Sequence, residues 1–141
     1  MRVVLDTNTL ASGALAFIGS PASAILDAWR GTAFTLVVSD AIVAELSRTL
    51  SKPYFAARLN PEDIAAFIDL VEGTATLVEL SGSIVNVASH REDDLILECA
   101  VVARAAYLVT GDKDLQQLHE FRGTQIVSPR VFLAVLSSLA S

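Results

Sequence analysis

Acidic residues recur along this chain at places where a carboxylate can do chemistry. Asp6 ends the apolar run of "MRVVLDTNTL", and Asp112 follows the apolar run of "YLVTGDKDL", with Asp114 two residues on. Glu45 falls within "VSDAIVAEL", in the second turn of a helix that Ser39 can cap. Asp93 and Asp94 open "DDLILECAVVA", where Leu95, Ile96, Cys99, Val102 and Ala103 repeat at helical spacing. Four segments can therefore deliver carboxylates to one place. Gathered carboxylates repel and raise one another's pKa, and a hard divalent cation removes that repulsion. Mg²⁺ or Mn²⁺ takes oxygen ligands and keeps several waters. One or two such ions can bind a phosphodiester, activate a water and stabilise the leaving oxygen. The reaction expected of such a cluster is in-line phosphodiester hydrolysis without a covalent enzyme intermediate. Each acid has an ordinary role open to it as well. Asp6 and Asp112 can cap the segments after them, Glu45 can be a solvated helix residue, and Asp93 or Asp94 can serve the helix dipole. Glu98, one turn beyond Asp94, is expected to pair with an arginine or with water rather than with metal.

The elements that must position these acids are legible as alternating apolar runs and helical patterns. Strands are expected at Arg2–Leu5, "FTLVVS", "ATLVEL", "YLVTG" and "TQIVS", with "SIVNVAS" a further extended piece. Helices are expected from Pro21 to Arg30, with Ala24, Ile25, Ala28 and Trp29 on one face, and after Ser39, with Ile42, Val43, Leu46 and Leu50 inward. "KPYFAARL" reads as a short helix, and Asn60, Pro61, Glu62 and Asp63 start another that runs to about Glu72, so a helical arm spans about 53–72. "DKDLQQLHEF" reads as a short helix, and Ser128 and Pro129 open a closing one with Val131, Phe132, Val135, Leu136 and Leu139 on its apolar face. Strands that are apolar throughout and separated by helices imply an α/β domain with a central parallel sheet covered on both sides, a three-layer arrangement. Ligands in such sheets sit beyond the carboxyl ends of the strands, near a topological switch point. Asp6 and Asp112 stand at strand ends of that kind.

At 141 residues the chain suits a single domain, 1–141, with an aliphatic core, since 52% of residues are hydrophobic and only 6% aromatic. No apolar run approaches the ~20 residues of a membrane helix, so no membrane association is expected. Cys99 is the only cysteine, which excludes an internal disulfide and fits a reducing cytoplasm. It is expected to be a small core residue. A net charge of −6 argues against broad nucleic-acid binding by charge alone. It leaves room for an enzyme whose surplus acids are gathered and neutralised by cations.

Taken in order, these motifs resemble the PIN-domain ribonucleases over nearly the whole chain. "VVLDTN" resembles the family's opening strand and its Asp-Thr/Ser-Asn motif, and Glu45 falls where the family has an acid on the helix after the second strand. "DDLILECA" resembles its Asp-x-x-Ile helix start, and "YLVTGDKDL" its later strand with Thr-x-Asp-x-Asp. The size and the ending "IVSPRVFLAVL" are similar to bacterial toxins of the VapC type. The resemblance implies a PIN-like fold and a Mg²⁺- or Mn²⁺-dependent endoribonuclease, often the toxin of a toxin–antitoxin pair. It implies RNA as substrate, a cognate antitoxin protein as partner, and a homodimer or higher homo-oligomer. By motif position Asp6, Glu45, Asp93 and Asp112 correspond to the family's acidic set. Asp114 is an accessory ligand candidate, and Asp94 competes with Asp93. Thr7, Asn8 and Thr110 are expected to orient carboxylates and waters. Arg91, Lys113 and Arg130 are candidates for RNA backbone contacts. The chain departs from the family's pattern at His90 and Leu95, where relatives often carry an acid and a lysine. Apolar residues of the arm, Tyr54, Phe55, Phe67 and Ile68, suit either an interface or simple burial. Two other readings compete: a catalytically silent PIN fold used as a binding module, and a phosphotransferase of the haloacid-dehalogenase type. The second wants an acid two residues after Asp6, where this chain has Asn8.

Overall fold

The structure, a computed structural model, describes residues 1–15 and 20–140. Arg2–Leu5 forms strand β1, and its Val3, Val4 and Leu5 are wholly buried. Alternation is absent because both faces of the sheet are covered. Helix α1 (Thr7–Ala14) and helix α2 (Pro21–Arg30) come before β2 (Thr35–Val38). Helix α3 (Asp40–Leu50), the short α4 (Pro53–Ala56) and α5 (Pro61–Thr74) lead to β3 (Thr76–Leu77). Helix α6 (Arg91–Ala103) leads to β4 (Tyr107–Val109), α7 (Lys113–Gln116), β5 (Glu120–Phe121), β6 (Thr124–Val127) and α8 (Pro129–Ala140).

The sheet runs β3-β2-β1-β4-β6-β5. All pairings are parallel except β5 with β6. The fold is thus the expected α/β type, a mostly parallel sheet flanked by helices. The chain builds outward from β1 to β3, then returns to β4 on the other side of β1. The topological switch point therefore lies between the carboxyl ends of β1 and β4. In register, Leu5 stands opposite Val109, so Asp6 and Thr110 leave the sheet side by side.

The capping chemistry explains where the helices start. Ser20, Ser39 and Asn60 each accept a backbone N–H three residues on, at 3.0, 3.2 and 2.7 Å. Pro21, Pro53 and Pro61 follow their caps at the first helical position. Gly13 lets α1 and α2 touch: a Cβ there would stand 2.3 Å from Leu26 Cδ1 and 3.2 Å from the Ala22 carbonyl. Helix α8 closes the core through Phe132, which is fully buried with its ring 5.4 Å from Phe34 and 5.5 Å from Tyr107.

Several local expectations are corrected. A full helix, α1, follows Asp6 where no element was expected. Its sequence, TNTLASGA, has too few large apolar residues for a readable stripe. The inward face of α2 is Ala22, Ile25, Leu26 and Trp29, and Ala24 is exposed. Val102 of α6 and Val131 and Leu139 of α8 are exposed instead of inward. "SIVNVAS" forms no strand, and "ATLVEL" pairs only through Thr76–Leu77. The helix expected to reach Phe121 stops at Gln116. Arg122 and Gly123, with φ of 48° and 92°, then turn a tight hairpin between β5 and β6. In the arm, Phe67 is buried, Phe55 and Ile68 are partly buried against the core, and Tyr54 is exposed.

Candidate functional site

The last residue of β1 hands the chain to Asp6, whose backbone N–H still joins the sheet by donating to the Val109 carbonyl at 3.0 Å. Its side chain is buried, with 6% exposure. Oδ1 accepts the Thr9 N–H at 2.8 Å and so caps α1, while Oδ2 accepts the Thr110 hydroxyl at 2.6 Å. Thr110, fully buried at the end of β4, also accepts the Asp112 N–H on its Oγ1 at 3.0 Å. One hydroxyl therefore ties the two strand-end aspartates together. Asp112 caps α7 through Oδ1, which accepts from Asp114 N at 2.8 Å and Leu115 N at 3.3 Å. Capping occupies only part of each carboxylate: lone pairs remain on Asp6 and Asp112 for another ligand.

Asp93 reaches the same rim from the first turn of α6. Burial pushes its carboxyl up to about 6, and the nearby charges of Asp112, Asp6 and Glu92 push the same way, against the pull of His90. That pattern places Asp6, Asp93 and Asp112, from three elements, within one electrostatic neighbourhood. The Asp93 backbone N–H donates to the His90 carbonyl at 3.1 Å, but its carboxylate accepts no hydrogen bond among the described residues. It shares a small cavity of about 60 Å³ with Asp114, which is exposed.

Asp94 belongs elsewhere, although only one residue away. It is 3% exposed, and its carboxylate accepts the N–H groups of Asn86, Val87 and Ala88 at 2.9, 3.1 and 2.7 Å. Helical geometry turns successive side chains by about 100°, so Asp93 meets the rim while Asp94 holds the incoming loop. Glu98, one turn on, repeats the device: Oε2 accepts from Ser81 and Gly82 N–H at 2.7 and 3.1 Å, and Oε1 from Ile84 at 3.1 Å. Burial raises its pKa, but these amides outweigh burial and hold it below the ordinary glutamate value. The expected arginine or water partner of Glu98 is thus replaced by backbone. Arg91 is exposed and donates Nη1 to the Ile84 carbonyl at 2.8 Å, so it braces the same loop. Lys113 and Arg130 are exposed near the rim.

Glu45 stands apart. Its Oε2 accepts from Arg48 Nη2 at 2.6 Å and Nε at 3.0 Å, the one ion pair among the described residues. It lines a small cavity of about 70 Å³ with Thr7, Arg48, Glu92 and Leu95. Thr7 Oγ1 faces no hydrogen-bond partner among the described residues, although the residue is only 7% exposed. Asn8 is exposed and lines a different cleft, with Tyr54 and Gly111. Glu92, which sequence reasoning passed over, lines the same cavity as Glu45, and its charge acts on Asp93. Its place one position before Asp93 in the first turn of α6 was the available signal. Cys99 is buried at the core, and burial pushes its thiol to about 12.

Among the described residues, no group of three His, Cys, Asp or Glu side chains stands close enough to hold a metal ion together. The donor set is nonetheless all oxygen, Asp93 is charged only at a cost, and the Thr7 hydroxyl is unmatched. That fits a hard ion held by one or two carboxylates with its own waters retained, as Mg²⁺ prefers. It does not fit a dehydrated, fully protein-ligated ion. No helix among the described residues is long and apolar enough to cross a membrane.

No curated protein matches the chain in sequence. Among solved structures it is similar to PAE2754 from Pyrobaculum aerophilum, with a TM-score of 0.70 at 17% identity, covering 98% of this chain and 90% of that one. It is similar too to VapBC2 from Rickettsia felis, solved bound to a DNA fragment from their promoter: TM-score 0.61 at 17% identity, over 91% of this chain and 98% of that one. At such identities these likenesses speak for the fold. The family model for the PIN domain matches residues 2–114, from β1 through both strand-end aspartates. The chain therefore belongs to the PIN domain family.

Proposed function

We propose that this protein is a divalent-metal-dependent endoribonuclease that hydrolyses RNA phosphodiester bonds, and that it serves as the toxin of a toxin–antitoxin pair. The observation that carries the reading is the Thr110 hydroxyl, which donates to Asp6 at 2.6 Å and accepts the Asp112 N–H at 3.0 Å, so that two strand-end carboxylates open together beside Asp93. Asp6, Asp93 and Asp112 come from separate elements and act on one another's charge beside the switch point of a parallel sheet. Asp6, Asp93 and Asp112 would lend their carboxylates to a Mg²⁺ or Mn²⁺ ion or a pair of ions, one or two to each ion, with Asp114 beside Asp93 and Glu45 joining once Arg48 releases it. The ion would supply charge neutralisation and a more acidic water. The chain's own part is to fix the geometry: Thr110 orients Asp6 and Asp112 together, and Asp94 and Glu98 pin the loop that precedes Asp93. The antitoxin partner is supported by the likeness to VapBC2 and by the VapC-like ending of the sequence. A homodimer in the cytoplasm is part of the same proposal.

The test is cleavage of a mixed-sequence RNA by purified protein with Mg²⁺ or Mn²⁺, against EDTA. Wild type should cut only with metal. Asp6→Asn, which keeps the shape of the side chain, should lose at least about a hundredfold in rate with its fold intact. A second reading, a silent binding module, draws on the Glu45–Arg48 pair, which occupies one expected ligand. Cleavage by wild type equal to that by Asp6→Asn, or none by either, would favour that module.

A further inference from the structure

A cleft beside the carboxylates has no part in the hydrolytic chemistry. It measures about 390 Å³, and its lining includes Asn8, Ser12, Pro21, Tyr54, Gly111 and Pro129. Two of these residues fix its place: Asn8 is two residues past Asp6, and Gly111 directly precedes Asp112. A strand whose phosphodiester reaches those aspartates lays a neighbouring nucleoside over the cleft. Its described lining holds no Lys, Arg, Asp or Glu, so it is not built to take a phosphate. A net charge of −6 also denies the chain general attraction for a polyanion. Affinity for a nucleic acid must then come from somewhere else. The described walls of the cleft are mostly apolar, from Leu15 to the prolines and Tyr54, with the Asn8 amide and the hydroxyls of Thr9, Ser12 and Ser20 among them. Flat apolar faces with a few hydrogen-bonding groups are what an unstacked base requires.

Tyr54 makes the argument specific. It is 51% exposed, at the start of α4 directly after Pro53. The Arg58 guanidinium lies over its ring, 3.8 Å from the centroid, and Arg58 Nη1 donates to the Tyr54 carbonyl at 2.7 Å. Phe55 meets the ring edge-on at 5.1 Å. An exposed aromatic held on ring and backbone at once has little freedom left to lose, so a base can stack on it at small entropic cost. We propose that Tyr54 is the stacking platform of a nucleobase subsite, which holds a base of a single-stranded RNA next to the scissile phosphodiester. The inference rests on the ribonuclease reading above.

The experiment uses the full chain and a short fluorescent RNA whose cut site has first been mapped, alongside the same RNA made abasic on either side of that site. Binding is read by anisotropy with Ca²⁺ in place of Mg²⁺, cleavage with Mg²⁺, folding by circular dichroism, and mass by light scattering. Tyr54→Ala should weaken binding of the intact RNA by roughly 5- to 100-fold, with the loss in KM and not in kcat. Tyr54→Phe should recover the affinity, because stacking uses the ring. One abasic RNA should bind wild type and Tyr54→Ala alike. Cleavage by wild type with undiminished binding by Tyr54→Ala would overturn the subsite and leave the ribonuclease reading standing. A folded wild type that neither binds nor cuts RNA would overturn both. Equal losses on intact and abasic RNA, or a change of mass in Tyr54→Ala, would overturn the subsite and make Tyr54 part of a contact between copies.

Discussion

Asp93 and Asp94 are chemically identical neighbours, and the structure predicts that the same substitution at each shifts stability in opposite directions. In metal-free protein above pH 7, Asp93 carries a charge that burial and Asp112 disfavour. Its rise from 3.8 to about 6 corresponds to about 3 kcal/mol of differential interaction. Asp93 is only partly buried, so solvent screening reduces this to about 1 kcal/mol. Asp93→Asn removes the charge and should stabilise by about that amount. Asp94 instead accepts three backbone N–H groups at 2.7–3.1 Å. Asp94→Asn replaces one acceptor oxygen with an amide donor that faces an N–H. It loses charge-assisted bonds of about 1.5–3 kcal/mol each, partly offset by water at this half-exposed loop, for a net loss of about 2–3 kcal/mol. The assay is thermal unfolding at pH 7.5 in EDTA and low salt. At this chain length 1 kcal/mol moves Tm by about 3 °C. Asp93→Asn should melt a few degrees above wild type, and Asp94→Asn about 6–9 °C below. Equal shifts in the two variants, or Asp94→Asn melting with wild type, would refute the division of labour between them. The sign follows from linkage. A carboxyl whose folded pKa is raised favours the fold below its unfolded pKa and loses that contribution as pH rises through about 6. The gain from Asp93→Asn should therefore vanish near pH 4.

Other consequences are simpler. Thr110→Val removes the hydroxyl that binds Asp6 and receives the Asp112 N–H, so it should cost about 2 kcal/mol and most of the cleavage rate, while Thr110→Ser keeps both; urea unfolding and RNA cleavage read the two effects. Glu98 is held below the ordinary glutamate value, so its contribution is present above about pH 4.5 and fades as pH falls through its folded pKa; the Tm gap between wild type and Glu98→Gln should shrink below that pH. Cys99, with its thiol pushed to about 12, should react with a thiol reagent at pH 8 only as fast as the protein unfolds, and a rate far above that of unfolding would contradict its burial.

How much of this was legible in the sequence depends on whether the deciding contact is local. The strands carrying Asp6 and Asp112 could be read because a doubly covered strand is apolar at every position and its punctuation falls at the functional edge. Helix starts at Pro21, Ser39 and Asn60 could be read because a first-turn proline acts at its own position and a cap bonds only three residues away. Helix α1 escaped because small residues such as Ala11 and Gly13, the second of which admits Leu26, erase the apolar period. The segment "SIVNVAS" looked extended because Ile84, Val85 and Val87 favour strands, yet four of its amides go to Asp94 and Glu98, 6 to 14 residues away. That non-local bonding also decides which acids can serve a cation. A carboxylate surrounded by amide donors, like Asp94 or Glu98, has its lone pairs engaged. Asp6 and Asp112 keep some free, and Asp93 keeps all of its own among the described residues. Spacing lists the carboxylates, but backbone N–H groups brought in by a distant loop sort the structural ones from those left open to a ligand, and only the folded chain shows where those groups go.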